Sequence, residues 1–278
     1  MGSRLSPLYG SRTPTVLAPH NNTASTHSVW KIEARWASSE AEVREAQRLR
    51  YRVFSQEMGA HLIPLTGTPL GLDADRFDAF CEHLLVYAYP KDSSCPGILV
   101  GTYRLLSPSA ASRAGGFYTD TEFDLTPLSP MRPRAVELGR SCVHPGWRSG
   151  GVIMALWTAL SHYMVAHQLD TMIGCASVAL NDGGQNANLL WRCLQRTHLV
   201  APQWQVRPHI PLPNHHQESE YVTLTQANIP PLIKGYLRCG ARLLGPPALD
   251  AAFNTADLPM MLQLDQLTSR YRKHFLAG

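Results

Sequence analysis

Apolar and polar positions alternate over 30–37 (WKIEARWA), the period of a half-buried strand. The pattern then turns helical. Val43, Ala46, Leu49, Val53 and Phe54 share one face over 41–58, with Ser38 or Ser39 as cap and Glu40 and Glu42 in the first turn. Residues 59–72 are broken by glycine and proline and read as loop. Two apolar runs, 83–89 (HLLVYAY) and 98–106 (ILVGTYRLL), predict strands paired as a hairpin around 90–97. Residues 107–133 are rich in Ser, Gly and Pro and predict an irregular connection with a short helix. Further strands are expected at 171–178, 221–224 and 258–264. Further helices are expected at 186–199, at 230–239 with Gly240 ending it, and at 266–275, which is basic. Residues 200–220 form a loop rich in proline and histidine.

The stretch 136–157 (VELGRSCVHPGWRSGGVIMALW) reads as strand, turn, glycine pair and helix. Val136, Leu138 and Val143 suit a strand, and Pro145-Gly146 marks the turn. From about Val152 a helix sets Val152, Leu156, Leu160 and Tyr163 on one face. Glycines at a helix start leave backbone N–H groups open to an anion, and the helix dipole favours negative charge there. Arg148 beside Gly150 and Gly151 suits a phosphate. Glu137 lies one strand-length upstream, as a base or as the partner of a nearby arginine. Strands and helices together predict an α/β (α+β) architecture, a mixed central sheet flanked by helices in a single domain over 29–278.

Charge narrows the function classes. The net charge of +4 over 278 residues comes without a lysine or arginine block, which argues against nucleic acid as a partner. No apolar run reaches membrane-spanning length. Residues 1–28 lack an acidic residue and an apolar signal core, and predict a disordered tail. The six cysteines show no CxxC or zinc spacing, so no metal site is expected, and free thiols suit a reducing cytosol. His215-His216 reads as an exposed loop.

One charge stands out. Arg104 interrupts an apolar strand, and a buried arginine needs an acidic partner. The segment LDADRFDAF supplies Asp73, Asp75 and Asp78, with Asp75 or Asp78 as the natural candidate.

These motifs, in this order, resemble the GNAT acyltransferases, and among them the acyl-homoserine-lactone synthase and N-acyl amino acid synthase branch. The residues that carry the resemblance are Arg50 and Phe54 on the first helix and Asp75 and Asp78 after it. Arg104-Leu105-Leu106 on a strand and Glu137, Gly139 and Arg140 on the next complete them. The C-terminal half, with KGYLRCGARLLGPPALDAAFNTAD and GCAS, is similar to the ornithine N-acyltransferase family. The resemblance implies a GNAT-like fold with a C-terminal extension.

It also implies a reaction: a 3-hydroxy fatty acyl group passes from acyl carrier protein to the alpha-amine of ornithine. No cofactor is held permanently, and the donor is the carrier's acyl-phosphopantetheine. Glu137 is then the catalytic base. Arg50, Phe54, Asp75, Asp78 and Arg104 shape the amino-acid pocket. The donor arm runs along Ser141, Val143, Arg148, Gly150 and Gly151, with backbone N–H groups of 141–143 facing the oxyanion. Ile153 replaces the family's last small loop residue, which suits a donor with a single phosphodiester better than free coenzyme A. Such an enzyme is expected in the cytoplasm, in peripheral contact with the inner face of the membrane, where its product stays.

Other readings differ at the substrate. An N-acyl synthase for glycine, glutamine or tyrosine shares these motifs, and a homoserine-lactone synthase would use S-adenosylmethionine. A non-catalytic module that binds acyl carrier protein is the reading from another class. No histidine is followed five positions on by aspartate, and no Gly-x-Ser-x-Gly elbow occurs, which excludes two other acyl-chemistry classes.

Overall fold

A computed structural model describes residues 29–91, 95–213 and 227–276. The expected tail 1–28, His215-His216 and the expected strand 221–224 lie outside the described residues. In chain order the elements are β1 (Trp30–Trp36), α1 (Glu40–Tyr51), β2 (Glu82–Pro90), β3 (Ile98–Leu106), α2 (Pro108–Ala114), β4 (Phe123–Asp124) and β5 (Ala135–Val143). Then come α3 (Gly151–Ala166), β6 (Thr171–Ala179), α4 (Gln185–His198), β7 (Arg207–Pro208), α5 (Pro231–Cys239), β8 (Arg242–Leu243), β9 (Ala248–Asp250), β10 (Thr255–Gln263) and α6 (Ser269–Leu276).

The main sheet runs β1-β2-β3-β5-β6-β10-β8, with β9 also on β10. Its pairs are antiparallel except β5–β6, which is parallel. This is the mixed sheet expected. Its C-terminal part is more than an extension, because β10 and β8 complete the sheet. The short strands β8 and β9 carry too few residues for an alternation to show.

Alternation along β2 divides the core. Leu84, Val86 and Ala88 join Val100, Val136, Leu156 and Leu160 under α3. Leu85 and Tyr87 face Ala46 of α1 on the other side. Helices α4 and α5 cover β6 and β10 through Ala176, Leu190, Leu194, Ile233 and Leu258. Ser39 caps α1 by accepting from the Glu42 amide. The helix expected over 41–58 changes character at its end: Arg52–Glu57 is π-helical. The wider turn rotates the last residues away from the α-helical stripe.

Two irregularities make room for a site. In the β3–β5 pair, Thr102 faces Cys142 and Arg104 faces Gly139, so β5 carries one residue more than β3 between those pairs. This β-bulge holds Arg140 at φ 52. It also resets the alternation. Cys142 packs with Leu49 and Val53 of the first helical segment, while Leu138 and Val143 pack under α3. The second irregularity is the parallel pair. β5 and β6 are in register only from Ala135 with Thr171 to Glu137 with Ile173, although both strands run on. Beyond Gly174 they part.

Gly174 lies so close to β5 that an added Cβ would stand 2.3 Å from the Leu138 carbonyl oxygen, a backbone atom that cannot swing aside. Gly174→Ala should therefore lower stability by about 1–3 kcal/mol, the usual range for forced overpacking. Urea unfolding measures it, and a wild-type midpoint would mean the strands have slack there.

Candidate active site

Three arginines and three aspartates meet beneath the bulge. Arg50 is fully buried. Its Nε donates to Asp73 Oδ2 at 2.8 Å, and its Nη2 donates to Asp78 Oδ1 at 2.8 Å and to the Asp73 carbonyl. Arg104 Nη1 donates to Asp75 Oδ1 at 2.6 Å and lies 3.4 Å from Asp78 Oδ2. Arg140 Nη2 donates to Asp75 Oδ2 at 3.1 Å, and its Nε lies 3.6 Å from Asp73. Burial alone would raise the Asp75 carboxyl, but Arg104 and Arg140 hold it well below the usual carboxylate range. Arg104 thus pairs with both expected aspartates. Asp73 and Arg140 complete the network, and His83 adds a contact from Nε2 to the Asp78 carbonyl at 3.2 Å.

Above the network, where β5 and β6 part, lies a cavity of about 650 Å³, within the roughly 300–1,000 Å³ usual for small-molecule sites. Phe54, Arg104, Glu137, Ser141, Val143, Arg148 and Gly150 line it. Arg50, Asp75 and Asp78 do not; they sit behind the wall. The π-turn brings Val53, Phe54, Glu57 and Met58 to the rim. Phe54 meets Phe253 edge-on at 6.0 Å. The Arg140 guanidinium lies 4.4 Å from the Phe253 ring centroid and 5.4 Å from that of Tyr118.

Glu137 is 5% exposed and, among the described residues, forms no ion pair with an arginine. Its Oε2 accepts from the Tyr118 amide at 2.6 Å, and its Oε1 accepts from the Thr119 amide at 2.7 Å and the Thr119 hydroxyl at 2.5 Å. Burial raises its pKa against the pull of those donors. About one acceptor position remains, on Oε2, since an ionised carboxylate has about four. The 3₁₀ turn Thr119–Thr121 thus positions Glu137, and nothing in the irregular 107–133 stretch signals it.

The site has an acidic side that sequence reasoning missed. Asp250 and Asp257 line the cavity, and donor atoms of Glu122, Cys175 and Asp257 lie within 4.8 Å of one another. Thr255 Oγ1 donates to Asp257 Oδ1 at 3.0 Å, while Glu122 Oε2 has no hydrogen-bond partner. Among the described residues no ion pair reaches these carboxyls. Both Glu122 and Asp257 are raised above the usual carboxylate range, first by burial and then by neighbouring negative charge. Sequence spacing cannot find this group, because β10 brings Asp257 beside Ser177 of β6 from far along the chain.

At the opposite side α3 begins without a side-chain cap, at Gly150 with φ 101. Arg148, expected to face a phosphate, forms a bidentate pair with Glu57 at 2.6 and 2.8 Å and donates to the Val143 carbonyl. Among the described residues no helix is long and apolar enough to cross a membrane.

The acetyltransferase (GNAT) domain family matches residues 49–158. Over 262 residues the chain is 37% identical to an L-ornithine N(alpha)-acyltransferase of Brucella abortus, covering 90% of each chain. Over 274 residues it is 35% identical to one of Agrobacterium fabrum, covering 94% of this chain and 92% of the relative. Among solved structures, an N-acyl amino acid synthase from uncultured soil microbes matches with a TM-score of 0.49 at 12% identity, over 86% of this chain and 96% of that one.

Two outcomes follow from the charges. Arg50→Met leaves Asp73 and Asp78 without their main cation, so urea unfolding should show a loss of about 3–5 kcal/mol; a loss below the error of the method would mean the network carries no stability. The acidic side gives a pH effect. Because Glu122 and Asp257 have raised folded-state pKa values, the stability they confer when protonated is present below the ordinary carboxylate range and is lost as pH rises through the raised values. Asp257→Asn should then raise the melting temperature of the free protein at pH 8, by roughly 2–4 °C for each ~1 kcal/mol recovered. At pH 5 it should do so much less. Equal shifts at both pH values would contradict the raised pKa.

Proposed function

The chain belongs to the L-ornithine N(alpha)-acyltransferase family, and on that premise we propose that it moves a 3-hydroxy fatty acyl group from acyl carrier protein to the alpha-amine of L-ornithine, giving lyso-ornithine lipid. The observation that carries this reading is the cavity at the parting of β5 and β6. It joins a buried carboxylate, an acidic wall and an uncapped helix start.

The amine nitrogen attacks the thioester carbonyl, forming the C–N bond. The C–S bond then breaks, and the phosphopantetheine thiol leaves with a proton. The ammonium must first lose a proton, and Glu137 accepts it through a water molecule; burial brings its pKa up toward that task. The bulge in β5 supports an oxyanion role for the 141–143 backbone, because a bulge leaves amides without ladder partners. Ser141, Val143, Arg148, Gly150 and Gly151 hold the donor arm, whose phosphate displaces Glu57 from Arg148.

The acceptor enters from the acidic side. Asp250 and Asp257 match a substrate that carries a second ammonium. Arg50, Asp75, Asp78 and Arg104 shape this pocket by fixing Arg140 and the bulge, and Phe54 packs the wall. The exposed Arg270 and Lys273 on α6 supply positive charge for an acidic carrier protein. The enzyme works in the cytoplasm, at the inner face of the membrane where its product accumulates.

Purified protein given 3-hydroxyacyl carrier protein and ornithine should form lyso-ornithine lipid, read by mass. Glycine, glutamine, tyrosine and S-adenosylmethionine should give far less product. Glu137→Gln should lower kcat about 100- to 10,000-fold while the ornithine KM stays near wild type. Transfer to a different amine alone would move the acceptor, and no transfer to any amine would sink the enzymatic reading.

A further inference from the structure

On the α3 side the cavity adjoins an apolar recess of about 70 Å³, bounded by Leu138, Leu160, Met172, Met260 and Leu262. Two phenols stand in the wall they share. Tyr103 of β3 and Tyr236 of α5 line both spaces, and their hydroxyl oxygens stand 2.5 Å apart. Ser141, on the β5 bulge, lines the same cavity as Tyr103. Tyr103 lies opposite that bulge, between the Thr102 and Arg104 pairings. Tyr236 is held by stacking on Trp157 at 5.7 Å. The close approach needs Gly235, where an added Cβ would meet the Trp157 ring at 2.7 Å.

Tyr103 and Tyr236 therefore pair their hydroxyls beside a mostly apolar recess, with Ser141 on the same cavity wall. Each hydroxyl offers one donor and acceptor lone pairs. Whichever way the protons run, the Tyr236 end is unmatched. If Tyr236 donates to Tyr103, its oxygen keeps only free acceptors. If it accepts, its own O–H points at nothing. No other hydrogen-bond partner of the Tyr236 hydroxyl occurs among the described residues. Burial raises both phenols, Tyr103 to about 12, so they stay neutral and able to donate. A bare methylene chain sliding past this end removes its water and returns no hydrogen bond, which costs free energy. A hydroxyl on the chain satisfies it in either proton direction.

From this geometry we infer that Tyr236, set in place by Tyr103 and Trp157, reads a hydroxyl close to the thioester carbonyl and selects 3-hydroxyacyl donors over unsubstituted ones. The inference rests on the acyl-transfer reading above. The position near the carbonyl follows from Ser141, which belongs to the same bulge as the amides assigned to the oxyanion.

The test compares kcat/KM for 3-hydroxyacyl and unsubstituted acyl carrier protein of equal chain length, in wild type, Tyr236→Phe and Tyr103→Phe. Wild type should favour the hydroxylated donor by about tenfold or more. Tyr236→Phe should bring the ratio near one by losing rate on the hydroxylated donor alone, with the unsubstituted donor and the ornithine KM within about twofold of wild type. Tyr103→Phe should lower the ratio partway, and it serves as the test if Tyr236→Phe does not fold. A variant that slows both donors equally, or keeps the wild-type ratio, overturns the inference. So does a wild type that shows no preference while still acylating ornithine. Absence of transfer from either donor strikes instead at the acyl-transfer reading itself.

Discussion

The buried exchange of charge among Arg50, Arg104, Arg140 and their aspartates is the constraint on which the site depends. Arg140 sits at φ 52, a backbone state that costs an L-residue with a Cβ roughly 1–2 kcal/mol. It is held there because its guanidinium lies between Asp73 and Asp75 and against the rings of Tyr118 and Phe253. The aspartates are in turn fixed by Arg50 from α1 and Arg104 from β3. The bulge is thus a balance: local strain in β5 is offset by charge pairing from elements far apart in sequence. Remove the charges and a regular strand would turn Arg140 to the other face.

That bulge and the early end of the β5–β6 ladder act together. One takes Arg140 and Ser141 out of the β3–β5 register, and the other opens the sheet beside them. A parallel pair that stayed in register would seal the sheet and leave Glu137 under a continuous wall. Gly174 marks the last close approach, and past it the strands separate around the cavity. Glu137 stands on the last residue of β5 still in register. It is therefore held on rigid backbone while its side chain lines the cavity.

Much of the sheet was legible in the chain. The runs at 83–89 and 98–106 show strong apolar patterns, and the structure has them as the hairpin β2–β3. Arg104 in an apolar strand demanded an acidic partner, and it has both Asp75 and Asp78. The family suggested by the ordered motifs is the one its relatives share. What stayed hidden is non-local. The cradle of Glu137 comes from amides of Tyr118 and Thr119, and an amide has no side-chain signature. Asp257 falls just before the strand expected over 258–264, and only the longer β10 brings it beside β6. Tyr103 and Tyr236 lie 133 positions apart and reveal nothing singly. The helical period over 41–58 also cannot show that its end widens to a π-turn, since the change alters hydrogen bonding before it alters pattern.

The distribution of charge explains why one cavity suits two unlike ligands. The arginine–aspartate network is internally matched, three of each, and contributes little net field. The field inside the cavity then comes from what the network leaves uncancelled. On one side stand Glu137, Asp250 and Asp257, with Glu122 close behind, Glu137 and Asp257 buried and none paired with a cation among the described residues. On the other is the uncapped start of α3, whose dipole presents positive charge. Where the walls are buried such a field is screened less than in bulk water. It draws a cation and an anion toward opposite walls, with the bulge between them. The raised carboxyls are the cost of that arrangement in the empty protein, and a bound ammonium would relieve it. Local instability and substrate preference are then two consequences of the same uncompensated charge.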